Sequence, residues 1–231
     1  GTTDSYVFWV KGGTLNIKGD GTVKSQSATY SIAVWADGGT VNIENGKFYN
    51  EGHGSDLIYA KNNGIVNIYG GYFEACKSDH TEDGTQEDYS ALNLHGTYPG
   101  TITVYGGQFF GFDPANNASE NPKISFVAED YISVETSESV WKVVPATESI
   151  EVASAAALED VLAQGGEATL TADINLENTA IVITEGEATI NLNGKTITGG
   201  LFAESSGAIT EGNSDSYAFW VKGGTLNIKG D

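Results

Sequence analysis

"GGTLNI" (12–17), "GGTVNI" (38–43), "NGIVNI" (63–68) and "PGTITV" (99–104) are one phrase written four times. Successive copies are 26, 25 and 36 residues apart, and the longest gap carries a polar insertion, "KSDHTEDGTQED" (77–88). The underlying step is therefore about 25 residues, a period that marks stacked repeats. Within each copy aliphatic and polar residues alternate, the pattern of a strand with one buried face. Leu15/Ile17, Val41/Ile43, Val66/Ile68 and Ile102/Val104 form the inward column, and Asn16, Asn42, Asn67 and Thr103 the outward one, with Asn191 and Asn227 read as an amide ladder of the same kind.

Two further ladders run at the same step. "GTVKS", "GKFYN", "GYFEA" and "GQFFG" bring Val23, Phe48, Phe73 and Phe109 into register. "SYVFWVK" (5–11), "SIAVWAD" (31–37), "DLIYAKN" (56–62) and "SALNLHG" (90–96) precede each turn. Three short strands per 25 residues cannot bury an apolar face alone. Stacked coil upon coil, they make three parallel sheets around a shared interior. This pattern resembles the right-handed parallel β-helix of the pectate-lyase-like superfamily, and the resemblance spans most of the chain. It implies an all-β solenoid with a short capping α-helix, and says little about activity.

A longer period encloses the short one. Residues 212–231 repeat residues 1–20 at 17 of 20 positions, an offset of 211 residues. The differences, Thr2/Asn213, Thr3/Ser214 and Val7/Ala218, are conservative drift. Between the copies lies "SIEVASAAALEDVLAQGGEATLTADINL" (149–176). Here Ser154 is suited to cap a helix over 155–164 with Leu158, Val161 and Leu162 on one side, and Gly165-Gly166 stops it. Upstream, Ile124–Val127, Tyr131–Val134 and Val140–Val144 read as closing strands, similar to those of β-helix proteins of gut bacteria and their phages. The chain thus reads as 1–144, the later coils and closing strands of one module, and 145–231, the capping helix and first coils of the next. Either the modules follow one another covalently, or one chain donates half a module to a partner. The absence of Met marks a mature or excised fragment.

Composition narrows the function. Eleven Lys, no Arg and 31 acidic residues give a formal charge of -20, a surface that repels nucleic acid and anionic membranes. No apolar run is long enough to span a bilayer. Lyases of this fold need a cationic group beside an anionic sugar, and the sequence offers no Arg for that role. Glycosidases use paired carboxylates. Asp79, Glu82, Asp83, Glu87 and Asp88 are the candidates, but they share one inserted loop instead of facing positions on neighbouring coils. The same five could bind Ca²⁺, though without the EF-hand rhythm, and a solvated loop comes before either reading. His53, His80 and His95 have no ligand spacing with Cys76, so zinc is not implied, nor is any cofactor. Asn117 begins a sequon.

The third ladder holds the remaining candidates. If Tyr6/Phe8, Ile32/Val34, Leu57/Tyr59 and Leu92/Leu94 face inward, then Trp9, Trp35 and His95 face out, with Trp220 in the repeated copy. Outward Trp suits a lateral interface first; an inverted strand phase that buries the Trp rings comes second, and contact with the apolar face of a sugar ring third. The expectation is a non-catalytic structural repeat of an extracellular or cell-surface fibre or adhesin. Its partners would be copies of itself or adjacent modules, and glycans if the Trp stripe binds them. A phage head or tail fibre is the second reading and a glycan-acting β-helix the third.

Overall fold

A computed structural model describes residues 4–26, 30–50, 56–75, 90–116, 124–177, 179–199 and 217–230. The protein is built of mostly parallel β-sheets with one short helix. It divides into two compact units, Gly1–Val144 and Pro145–Asp231.

In the first unit strands come in threes. β1 (Ser5–Val10), β2 (Thr14–Ile17) and β3 (Thr22–Ser25) are followed by β4 (Ser31–Asp37), β5 (Thr40–Ile43) and β6 (Lys47–Asn50). Next come β7 (Ile58–Lys61), β8 (Ile65–Ile68) and β9 (Tyr72–Glu74), then β10 (Leu92–Leu94), β11 (Thr101–Val104) and β12 (Gly107–Phe110). Every third strand pairs in parallel, giving separate sheets β1-β4-β7-β10, β2-β5-β8-β11 and β3-β6-β9-β12. β13 (Tyr131–Ser137) and β14 (Val140–Pro145) finish the third sheet, β14 running antiparallel to β12 with Trp141 opposite Phe109.

Parallel strands in exact register must place like beside like. Val41, Val66 and Ile102 share one line across β5, β8 and β11, and all are buried. Phe48, Phe73 and Phe109 are wholly buried, with ring centroids 4.9 and 4.8 Å apart and near-parallel planes. That spacing is the distance between hydrogen-bonded strands, so the backbone register itself sets the ring stack. Each such Phe contributes about 2–3 kcal/mol by burial, and each ring pair roughly 1 kcal/mol more. On the outer side, Asn67 Nδ2 donates to Asn42 Oδ1 at 2.9 Å, and Asn42 Nδ2 to Asn16 Oδ1 at 2.8 Å.

The turns into the second strands show why glycine recurs there. A Cβ on Gly64 would lie 2.3 Å from the carbonyl oxygen of Ala36, and one on Gly100 2.3 Å from that of Gly64. Backbone of one triplet rests directly on backbone of the next.

The second unit opens with β15 (Ser149–Val152) and α1 (Ala155–Ala163). Ser154 Oγ accepts from the Ala157 amide at 3.2 Å, while Leu158, Val161 and Leu162 are buried. α1 packs on β15 and on β16 (Glu167–Leu170), which is followed by β17 (Ile174–Asn175), β18 (Ile181–Ile183), β19 (Glu187–Asn191) and β20 (Ile197–Thr198). β21 (Phe219–Val221) and β22 (Thr225–Lys229) come last. Parallel pairing gives β15-β16-β19-β22, β17-β20 and β18-β21.

Three expectations need correction. Ile124–Val127 is not a strand: Val127 makes only an isolated bridge to Val104, and Phe126 plugs into the core instead. Asn191 is not in an amide ladder with Asn227. It pairs with Lys229, and its Oδ1 accepts from the Asn193 amide at 3.1 Å, closing a local turn. The inward set of β7 is also out of phase. Ile58 and Ala60 are buried, and Tyr59 faces out. The Leu57 carbonyl accepts from both the Ala33 and Val34 amides at 3.1 Å, a bulge. The bulged pair, Ala33 and Val34 of β4, both lie in the core, as do Leu57 and Ile58 facing them, so alternation restarts one residue late in both strands.

Replacing Phe73 by Ala removes the middle ring of the stack. It should lower unfolding free energy by about 3–5 kcal/mol, against under about 1.5 kcal/mol for Phe73→Leu, measured by urea denaturation. Equal losses for the two variants would contradict burial as the larger contribution, because Phe73→Leu keeps most of the buried apolar surface and gives up only the ring pairs.

Candidate functional site

The outward residues of the first sheet form a continuous aromatic face. Register places Trp9 beside Trp35 and Trp35 beside Tyr59. The Trp9 and Trp35 rings stack at 4.6 Å and 7°, and Tyr59 meets Trp35 edge-on at 6.1 Å. His95 continues the row 6.4 Å from Tyr59, and Tyr98 lies 5.6 Å beyond His95. Tyr6, expected inside, packs its ring 4.8 Å from Trp35 and 5.6 Å from Trp9.

Polar groups fix this row in place. Trp9 Nε1 donates to Asp37 Oδ2 at 3.1 Å, and Asn62 Nδ2 to Asp37 Oδ1 at 2.6 Å, so one carboxylate ties three successive triplets. Lys11 Nζ sits 3.9 Å over the Trp9 ring, and Lys61 Nζ 5.3 Å from that of Trp35. Such cation–π contacts contribute roughly 0.5–1 kcal/mol each at exposed sites. His95 Nδ1 accepts from the Thr97 and Tyr98 amides at 3.1 and 3.0 Å, which holds the imidazole as a turn-former. Trp35 Nε1 is buried without an acceptor among the described residues.

Trp9 is 45% exposed, yet Trp35 covers one ring face and Lys11 the other. A sugar ring seeks such a face for apolar contact. Trp9 therefore leaves chiefly its ring edge to solvent, a geometry that suits a stack stiffening the sheet. Trp220 lies in β21 beside Val182 of β18, with Lys222 Nζ 3.7 Å over its ring, repeating the local arrangement of Trp9 and Lys11.

Next to the row lies a buried polar cluster that spacing and periodicity do not reveal. Asp56 is buried, and its two oxygens accept from Tyr30 Oη at 3.1 Å and Asn93 Nδ2 at 2.9 Å. Ser31 and Asn50 bond each other, Ser31 Oγ donating to Asn50 Oδ1 at 2.9 Å. Burial pushes the Asp56 carboxyl up from its ordinary 3.8 to about 6, outweighing the two donors, which pull it down. Burial and the neighbouring Asp56 charge push the Tyr30 phenol up. Both oxygens of Asp56 are held by the fold's own donors, an arrangement that fastens the start of β7 to β10 and to the segment before β4. A trace of it is present in the third ladder, where three of four coils begin with Ser and one with Asp56.

Asp79, Glu82, Asp83, Glu87 and Asp88, with His53, His80, Cys76 and Asn117, lie outside the described residues. Among the described residues no three His, Cys, Asp or Glu side chains come together as a metal site, and no helix is long and apolar enough to cross a membrane. The chain matches no protein-family model, no curated protein and no solved structure.

The Asp56 shift has a consequence for stability. Below about pH 4 both folded and unfolded chains hold this proton. Between there and about pH 6 the unfolded chain releases it first, so rising pH favours unfolding by up to roughly 3 kcal/mol at neutrality. Asp56→Asn removes this contribution. Urea denaturation from pH 4 to pH 7 should show the variant losing less stability than wild type as pH rises. Parallel profiles for the two proteins would refute the assignment.

Proposed function

We propose that the chain is a stretch of right-handed parallel β-helix that serves as a non-catalytic structural repeat of an extracellular or cell-surface fibre. The carrying observation is that the first unit grows by one rule. Across β2-β5-β8 and β3-β6-β9 each triplet sets its apolar residues onto the last in register, with Asn16, Asn42 and Asn67 in one column and Phe48 and Phe73 in another. Such a unit gains burial with every coil and has no intrinsic stopping length, which is the property a rod requires. The 211-residue recurrence extends the rule from coils to modules. In this reading α1 covers the first coils of a module and the β13–β14 pair, which breaks the parallel pattern, closes its last.

The aromatic row and the Asn ladder belong to the same reading. Both run along the direction of stacking, so they resist bending and shear between coils. A rod of about 25-residue coils rises roughly 4.8 Å per coil, so a module of about seven coils adds about 35 Å of length. The strong negative charge keeps neighbouring rods apart in solution.

Negative-stain microscopy of the native protein should show thin filaments that persist in a chelator, with melting unchanged by it. Compact single particles that release reducing ends from a polysaccharide would sink this reading in favour of an enzyme.

A further inference from the structure

We propose that the turn between β5 and β6 is a self-modification site. Asn45 closes onto the Gly46 amide, loses its side-chain nitrogen as ammonia and becomes aspartate or isoaspartate, ahead of the other Asn-Gly pairs.

The chain holds three such pairs, Asn45-Gly46, Asn63-Gly64 and Asn193-Gly194. In each, the amide nitrogen after the asparagine is as unhindered as a backbone allows, because glycine carries no side chain. Residue type therefore ranks them alike, and the fold separates them.

At Asn63 the nucleophile is held. The Gly64 amide donates to the Lys61 carbonyl at 2.8 Å, a bond that must break before the nitrogen can attack. At Asn193 the leaving group is held. Its Nδ2 donates to the Leu170 carbonyl at 3.0 Å, and its own amide donates to Asn191 Oδ1 at 3.1 Å. At Asn45 neither is held. The residue is exposed, and among the described residues neither its side chain nor the Gly46 amide makes a hydrogen bond.

The glycine half of this pair is imposed by the coil. Gly46 has φ of 128°, which side chains other than glycine's rarely permit, and a Cβ there would lie 3.1 Å from Phe48 Cε2. The matching turns of the other triplets read Asp20-Gly21, Gly70-Gly71 and Gly106-Gly107. A Cβ at Gly70 would lie 2.7 Å from the Glu44 carbonyl oxygen, and one at Gly106 2.4 Å from that of Tyr69. Of these turns, only the one at Asn45 has a side-chain amide to lose.

The reaction needs only water. Gly46 N bonds to Asn45 Cγ as the Cγ–Nδ2 bond breaks, and the Gly46 amide proton leaves with that nitrogen as ammonia. Water then opens the cyclic imide. Opening at Cγ gives aspartate. Opening at the Asn45 backbone carbonyl carbon gives isoaspartate, which routes the main chain through Cβ and lengthens it by one methylene.

Both products add a negative charge next to the Lys18–Glu44 ion pair, whose atoms are 2.6 Å apart. The longer backbone matters more, because the turn is pinned on both sides. The Glu44 and Lys47 amides donate to the Ile17 and Gly21 carbonyls at 2.9 Å, and the Ile43 and Gly46 carbonyls accept from Tyr69 and Tyr72 at 2.8 Å. An added methylene has no slack to enter, so isoaspartate strains the register of the second and third sheets together. The turn is an ageing point of the stack.

The test ages the native protein at mildly alkaline pH and maps its peptides by mass spectrometry, with isoaspartate labelled by an isoaspartyl methyltransferase. Asn45 should convert roughly five- to tenfold faster than Asn63 or Asn193, the factor that one hydrogen bond adds to a barrier. In urea the three rates should draw together, because only the fold distinguishes them. The isoaspartate fraction should melt below the unmodified protein, whereas Asn45→Asp, which adds the charge without the methylene, should melt as wild type. The proposal fails if Asn63 or Asn193 converts as fast as Asn45 in the native protein, or if the same ranking persists in urea. It also fails if Asn45 stays intact while the urea-unfolded chain converts, or if the isoaspartate fraction melts with the unmodified protein.

Discussion

Everything in the first unit depends on short parallel strands held in register with the triplet before and the triplet after. No triplet is self-sufficient. Val41, Ile43 and Phe48, in the second triplet, have no exposed surface, whereas Leu15, Ile17 and Val23, at matching positions in the first, are only partly buried. The difference is one neighbour. In the second unit Ile190 is wholly buried, and Ile228, next to it in the same sheet but at the edge, is 55% exposed. Burial in this architecture is contributed by stacking.

The same constraint explains why side chains form columns of identical type. A strand pair fixed near roughly 4.8 Å brings equivalent side chains to the distance at which flat groups stack and amides bond. Phe over Phe, Trp over Trp and Asn over Asn are therefore low-energy choices, and each column restrains register as well as adding contact energy. A slip of one residue would put Phe73 outside and bring Tyr72 and Glu74 in. Tyr69 and Tyr105 stack at 5.0 Å on the outer side by the same rule, where no core requires them.

Much of this is legible in the sequence because the period is local. The columns of β2, β5, β8 and β11, the Phe stack and the Ser154-capped helix follow from spacing and cap chemistry alone. What escapes depends on where the chain departs from its period. Alternation carried straight through Leu57 puts Tyr59 inside, and a bulge made by two amides sharing one carbonyl leaves no mark in residue types. Phe126 reaches the core through a connecting segment, and periodicity says nothing about segments that are not strands. Asp56 is visible as the odd member of a Ser column, but only its burial and its Tyr30 and Asn93 partners give that oddity meaning. Alternation does place Trp9 and Trp35 outward, yet the covering of their faces by one another and by Lys11 is a three-dimensional fact.

Edges must be managed in any protein that is extended by stacking. Unpaired strand edges invite indiscriminate pairing, and a rod needs pairing that is permitted once and in one direction. The Gly64 and Gly100 turns have this character, because the backbone of the neighbouring triplet approaches each where no side chain intervenes. The far side of the same unit is different: β14 lies antiparallel on β12, so the parallel pattern that a further coil would extend is already broken. Glycine turns that admit the backbone of one neighbouring triplet, and an antiparallel stop after the last triplet, give the unit a polarity. Polarity, more than affinity, is what separates ordered end-to-end joining from aggregation.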